Sequence, residues 1–261
     1  MKVNLHTHTV RCGHAYGTDE EFVLAAIAQG YTKLGFSDHT PFPYEPEFQA
    51  ENTKMSMQML EDYISSVTGL KEKYKGKIDI LLGLECEFVP RFFPFLTELR
   101  KRLDYMILGN HGDWTAGDPY SGALTTPKQL EHYVDMAVQG LETGLFLYLA
   151  HPDLMLSSYH EFDDVAEKMS RALCREANRL GIPLEYNLYG TMKNRKPGML
   201  GYPCDAFWKV AAEENVRAVV GIDAHKPENF EMEDMDGAFL KLERMGITVL
   251  KDPLQAENSP K

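Results

Sequence analysis

The chain has 261 residues, a length for one large domain or two small ones, and with 44% of them hydrophobic and 25% charged its balance excludes a disordered or fibrous chain. Its 39 acidic residues outnumber 27 lysines and arginines, for a formal net charge of −12, so the basic footprint of a protein that binds long nucleic acid is missing. The sequence opens without a basic stretch leading into an apolar one, and its longest central apolar run, Leu145–Ala150, is far too short to cross a bilayer.

In chain order, short apolar runs alternate with longer segments of helical period. Strands are expected at Val3–Leu5, Lys33–Ser37, Ile78–Leu84, Tyr105–Leu108, Leu145–Ala150, Pro183–Tyr186 and Ala218–Ile222, with a weaker eighth at Ile247–Leu250. Helices are expected near 19–29, 54–74, 92–102, 127–142, 161–180, 203–215 and 234–245. Asp19-Glu20-Glu21 places acids in a first turn, Thr126-Pro127 reads as a cap followed by proline, and Gly30, Gly181 and Gly246 read as stops. Strands that alternate with crossover helices imply a parallel α/β sheet. Seven consecutive units with no Pro/Gly/Ser-rich linker favour a closed barrel in one domain over 1–254, followed by a polar tail at 255–261; a doubly wound open sheet is the alternative. The four cysteines, Cys12, Cys86, Cys174 and Cys204, form no Cys-x-x-Cys pair, which fits reduced thiols and a cytoplasmic location.

The nine histidines are informative by position. His6 and His8 end the first strand candidate, His39 the second, His151 the fifth and His225, with Asp223, the seventh. His111 follows the fourth, and Glu85 ends the third. Barrel enzymes build their sites at the carboxyl ends of the strands, so a metal-competent residue at six such ends points to one convergent site. In extended chain, residues two apart share a face, so His6 with His8, and Asp223 with His225, can each present two ligand atoms together. Glu87 shares the face of Glu85 and competes with it. His132 and His160 lie inside or at the start of helix candidates, follow no strand, and read as ordinary core or surface residues rather than ligands. Imidazoles with carboxylates and no cysteine suit zinc, manganese or iron rather than calcium or a closed structural zinc site. With His132 and His160 set aside, seven histidines and two carboxylates are too many for one ion, which implies two or three.

His-Thr-His-Thr at 6–9, Cys-Gly-His-Ala at 12–15, Ser-Asp-His-Thr at 37–40, Gly-Leu-Glu at 83–85, Gly-Asn-His at 109–111, Ala-His-Pro at 150–152 and Gly-Ile-Asp-Ala-His at 221–225 together resemble the PHP (polymerase and histidinol phosphatase) domain, in particular its stand-alone histidinol-phosphatase branch. The resemblance implies a distorted (β/α)7 TIM-like barrel around a trinuclear metal centre. One ion would take His6, His8, Glu85 and Asp223; a second would share Glu85 and add His111 and His151; a third would take His14, His39 and His225. His14 stands where many members of the family have an aspartate. Glu85, Asp223 and His225 are then the expected catalytic residues. Comparable Glu-x-Asn segments in the family lead to a phosphate-binding arginine, which matches Arg195 beyond Glu185-Tyr186-Asn187, while Met192 stands where a further arginine would be expected. Arg11 and Lys226, which flank metal motifs, are the alternative cations.

Such a cationic centre draws in a phosphate ester despite the acidic surface, activates water and clamps the attacking and leaving oxygens. The expected reaction is hydrolysis of a small phosphomonoester, foremost histidinol phosphate; another small phosphate or a nucleotide is the second possibility and a non-catalytic metal-binding module the third. None of the nine expected ligand positions is missing. Gly-x-Gly-x-x-Gly, P-loop, Gly-x-Ser-x-Gly and His-Glu-x-x-His motifs are absent. The aromatic segments 41–53 and 112–125, with Trp114 and Tyr120, are candidate walls for the substrate.

Overall fold

A computed structural model describes residues 2–44, 53–112, 117–192, 197–232 and 234–256. It is an α/β fold in which the ladders of the first sheet and the single-residue bridges among the described residues are parallel, as strands joined by crossover helices require. The described chain falls into two compact units, neither continuous in sequence: Met1–Cys86 with Pro90–Ile107 and Gly221–Glu233, and Glu87–Val89 with Leu108–Val220 and Asp234–Lys261.

In the first unit, β1 (Lys2–Asn4), β2 (Tyr31–Phe36) and β3 (Asp79–Leu82) form one sheet in that order. Bridges of Thr7 to Ala224 and of His39 to Glu85 carry the ladder beyond the named strands, and β4 (Glu85–Cys86) continues it. Helix α1 (Asp19–Ala28) starts on a capping box in which Thr18 and Glu21 each satisfy the other's backbone amide. A single turn at Met57–Met59 leads into α2 (Leu60–Lys73), and α3 (Phe93–Arg100) follows β4. Buried Phe22, Phe36, Tyr63 and Leu34 fill the space between these helices and the sheet.

The second unit repeats the arrangement after β5 (Ile107–Leu108). Leu108 bridges Leu149, Leu149 bridges Leu184 in β6 (Leu184–Asn187), β6 pairs with β7 (Ala218–Gly221), and Ala218 bridges Val249. The fifth and eighth expected strands therefore shrink to single bridging residues. Leu149 still donates to Pro183 and accepts from Glu185, so its backbone is paired on the β6 side while too little extended chain surrounds it to count as a strand. Helices α4 (Pro127–Glu142) and α5 (Asp164–Leu180) pack together, with α7 (Asp205–Glu213) against α5 and α9 (Met235–Arg244) later in the chain. Asp163 caps α5 through the Ala166 amide at 2.8 Å, which moves its start three residues past the expected position. Gly181, at φ +70, stops it, a backbone angle that costs glycine little. Short helices that the periodicity misses are α6 (Tyr189–Met192), α8 (Asn229–Met232) and α10 (Pro253–Ala256), the last reaching into the expected tail. Among the described residues no helix is long and apolar enough to cross a membrane.

Candidate metal centre

The first unit brings the amino-terminal and carboxy-terminal motifs together through backbone register. His8 donates its amide to the Ala224 carbonyl at 2.8 Å and Ala224 donates to His6 at 3.1 Å. Buried Asn4 accepts from the Ile222 amide at 2.9 Å and donates to the His6 carbonyl and the Thr7 hydroxyl. The sequence pairs His6/His8 and Asp223/His225 thereby face one another. Asp223 sits in the left-handed region at φ +57, which an aspartate tolerates better than most residues and which recurs at functional sites.

Side-chain donor atoms converge accordingly. Glu85 Oε2 lies 3.5 Å from His6 Nε2, 3.6 Å from His8 Nε2 and 3.0 Å from His39 Nδ1. Asp223 Oδ1 lies 3.5 Å from His6 Nε2, 3.0 Å from His8 Nε2 and 3.4 Å from His225 Nδ1. Ligand nitrogens of His8, His39 and His225 fall within 4.8 Å of one another, and the His14 ring stacks on His225 at 4.9 Å between centroids. All seven expected residues of this unit, His6, His8, His14, His39, Glu85, Asp223 and His225, thus meet in one place. His14 alone is half-buried.

The charges there are strongly coupled. Burial pushes the His8 imidazole down, but hydrogen bonds to Asp223 and Asp38 more than reverse it and lift the group to about 9. Burial would raise Asp223, yet the field of His6 and His225 and the bond from His8 hold it well below the usual carboxylate range. His225 is pushed well down by burial and then by His8. Five imidazoles and two anionic carboxylates turned on one another match the nitrogen and oxygen preferences of zinc, manganese or iron(II), so the residues present fit divalent metal.

The second unit holds the remaining expected ligands. The His111 and His151 rings lie 4.9 Å apart, and Tyr120 stacks beside His111 at 6.2 Å. Glu87 Oε1 meets His111 Nδ1 at 3.1 Å, a contact the sequence did not disclose because i+2 spacing made Glu87 only a rival of Glu85. His151 occupies the left-handed region at φ +30, and its amide donates to buried Glu185, which Asn187 also contacts at 2.9 Å. The turn after His151 is anchored by buried Asp153, which accepts from the Cys204 amide and Trp208 Nε1. Burial pushes the Asp153 carboxyl up to about 6 in spite of those donors.

Other expectations divide. Arg195, with Lys193 and Lys196, lies outside the described residues, as do Trp114 and 45–52 of the first aromatic segment. Arg11 is already engaged: it meets Asp19 at 2.8 Å and Asp62 at 2.7 Å and lies over the Tyr63 ring, which corrects its reading as an alternative phosphate cation. Lys226 is exposed beside His225. The Cys12 thiol donates to the Thr9 carbonyl at 3.1 Å and burial drives its pKa far up, so it is a neutral packing group. His132, paired with Asp118 at 3.0 Å, and His160 are exposed. Asp38 is a site residue that the sequence did not disclose, because it lies inside Ser-Asp-His-Thr next to the ligand candidate His39.

A family model described as the PHP domain matches residues 4–188. The chain belongs to the PHP domain family. Among its PHP relatives, a Deinococcus radiodurans protein named "Probable histidinol-phosphatase" is 31% identical over 232 residues, covering 85% of each chain. The histidinol-phosphatase of Bacillus subtilis is 24% identical over 254 residues, 85% of this chain and 92% of that one. The crystal structure of histidinol phosphate phosphatase from Lactococcus lactis, complexed with zinc, L-histidinol and phosphate, matches with a TM-score of 0.71 at 16% identity and covers 95% of each chain. That PHP likeness is one of fold.

Proposed function

We propose that this chain is a metal-dependent phosphomonoesterase whose substrate is histidinol phosphate, hydrolysed to histidinol and phosphate. The observation that carries the reading is the convergence of His6, His8, His39, Glu85, Asp223 and His225 on shared donor atoms at 3.0–3.6 Å, with the histidinol-phosphatase relatives that span most of the chain naming the substrate. The proposed ligands of two to three divalent ions, zinc, manganese or iron, are these six with His14, His111 and His151. The fold that belongs to this reading is a distorted (β/α)7 barrel in one domain over 1–254, which the parallel ladders of each unit and the likeness to the Lactococcus enzyme support.

Bound divalent ions supply Lewis acidity that activates water and offsets the charge developing on the phosphoryl group. The chain's own part is to hold that chemistry in place. Glu85, which faces three imidazoles, and Asp223 contribute the anionic oxygens, while neutral His225 contributes a lone pair. Burial of these groups strengthens every charge interaction with a dianionic ester. Arg195 is the proposed cation that grips the phosphate through two oxygens.

Elemental analysis of protein purified without chelator should give more than one transition-metal equivalent per chain, and a phosphatase panel with added manganese or zinc should favour histidinol phosphate over nucleotides and sugar phosphates. Glu85→Gln should lower kcat/KM by ~100-fold or more, about 3 kcal/mol of lost transition-state stabilisation. Glu87→Gln should cost much less. Full activity without metal, or a reversal of the two glutamate effects, would refute the assignment.

A further inference from the structure

Asp38 is a fully buried carboxylate to which the phosphatase reading gives no role. It does not face the shared donor atoms of Glu85 and Asp223. Its Oδ1 lies 3.4 Å from His8 Nδ1 and accepts the His39 amide at 2.8 Å, while its Oδ2 accepts the Thr9 hydroxyl. No lysine or arginine among the described residues pairs with it. Burying a carboxylate without a fixed cation is costly unless donors surround it, and here donors come from the two motifs that carry His8 and His39, with the Cys12 thiol within 4.8 Å as well. His8 is addressed from both ends: Nδ1 turns to Asp38, and Nε2 turns to Asp223 at 3.0 Å and Glu85 at 3.6 Å.

We infer that Asp38 is a positioning residue for His8: its carboxylate accepts the Nδ1–H, fixes that tautomer and ring orientation, and so leaves the Nε2 lone pair for metal. The opposite tautomer would turn an Nδ1 lone pair onto the Asp38 oxygen and an N–H into the ligand cluster. Carboxylates that orient metal-binding histidines in this way raise ligand basicity as well as fixing the ring. Through Thr9 and the His39 amide the same carboxylate also ties the end of the first strand to the end of the second, so the two ligands move as one.

The inference rests on the metal-dependent reading, and its test separates the two. Zinc affinity is measured by competition with a chromophoric chelator for wild type, Asp38→Asn and Thr9→Val, and the zinc-loaded wild type is labelled with 15N-histidine to assign the His8 tautomer by long-range proton–nitrogen correlation. Asp38→Asn keeps the size and an acceptor for the His39 amide but removes the anion. It should weaken zinc binding about 10- to 100-fold, with kcat falling more than KM rises. Thr9→Val removes another bond to the same carboxylate and should change zinc affinity by less than about 3-fold. The wild-type spectrum should show His8 protonated at Nδ1. An Nε2–H tautomer, or zinc affinity in folded Asp38→Asn within 2-fold of wild type, overturns the role of Asp38 alone. Should Asp38→Asn fail to fold, the wild-type spectrum decides. Failure of wild type itself to bind zinc, manganese or iron overturns both this inference and the function it rests on.

Discussion

Tyr105 is the buried prop beneath the first-unit motifs, and Gly83 is the residue that makes room for it. The Tyr105 hydroxyl donates to the carbonyls of Leu5 at 2.7 Å and Phe36 at 3.0 Å, the residues that immediately precede His6 and Ser37. A Cβ added to Gly83 would stand 2.8 Å from Cε2 of the Tyr105 ring and nearer still to Cε1 and Cζ, where ordinary contact begins at 3.4 Å. Gly83→Ala must therefore push the ring aside and break both hydroxyl bonds. Overpacking costs ~1–3 kcal/mol and loss of the hydroxyl's bonds to buried carbonyls adds ~1–3 kcal/mol, for a total of about 2–6 kcal/mol. Tyr105→Phe loses only the second part. In Gly83→Ala/Tyr105→Phe the hydroxyl bonds are counted once, so the double variant should be less destabilised than the sum of the singles by ~1 kcal/mol or more. Urea unfolding of chelator-treated protein, followed by far-ultraviolet circular dichroism with the slope held constant, measures all four corners of the cycle. A Gly83→Ala variant within about 0.5 kcal/mol of wild type, or strict additivity, would refute the steric account.

The raised pKa of Asp153 gives a pH test in the same chelator-treated protein. A carboxyl moved from 3.8 to about 6 on folding binds its proton more tightly in the native state, so its contribution is fully present below about pH 4 and is lost as pH rises through 6. Asp153→Asn, which keeps an acceptor for Cys204 and Trp208, should remove up to ~3 kcal/mol of that slope; parallel stability–pH curves for the two proteins would exclude the mechanism. Arg195→Ala should raise KM for the phosphomonoester with metal content unchanged, and Arg195→Lys should recover it only in part because the paired geometry is lost. Arg11→Ala should leave KM alone and lower the urea midpoint by the equivalent of ~1–3 kcal/mol, since Arg11 serves Asp19 and Asp62 rather than substrate; a raised KM with an unchanged midpoint would return it to the phosphate site.

Much of the molecule was legible in local pattern. The period of apolar residues located α4 and α9 almost to the residue, and the acidic first turn at 19–21 with the stop at Gly30 located α1, because amphipathic spacing and helix-end signals act within a turn or two. The fifth strand was over-read, since an apolar run records burial, whereas a ladder needs extended neighbours on both sides, which only Leu149 has. Placement of histidines and acids at strand ends was enough to nominate the candidate ligands other than His14, because a parallel sheet turns every carboxyl end the same way.

What sequence determined by itself is therefore the alternation of strand and helix and the nitrogen and oxygen ligand types stationed where strands stop. Tertiary structure decided the partners. Asp38 came to serve His8, Glu87 came to His111, and Arg11 was drawn to Asp62, 51 residues away in the chain. Periodicity acts over a few residues and is written in each segment, but the meeting of two side chains from different segments depends on the register in which crossovers dock their strands, and that register is fixed only when the whole core packs.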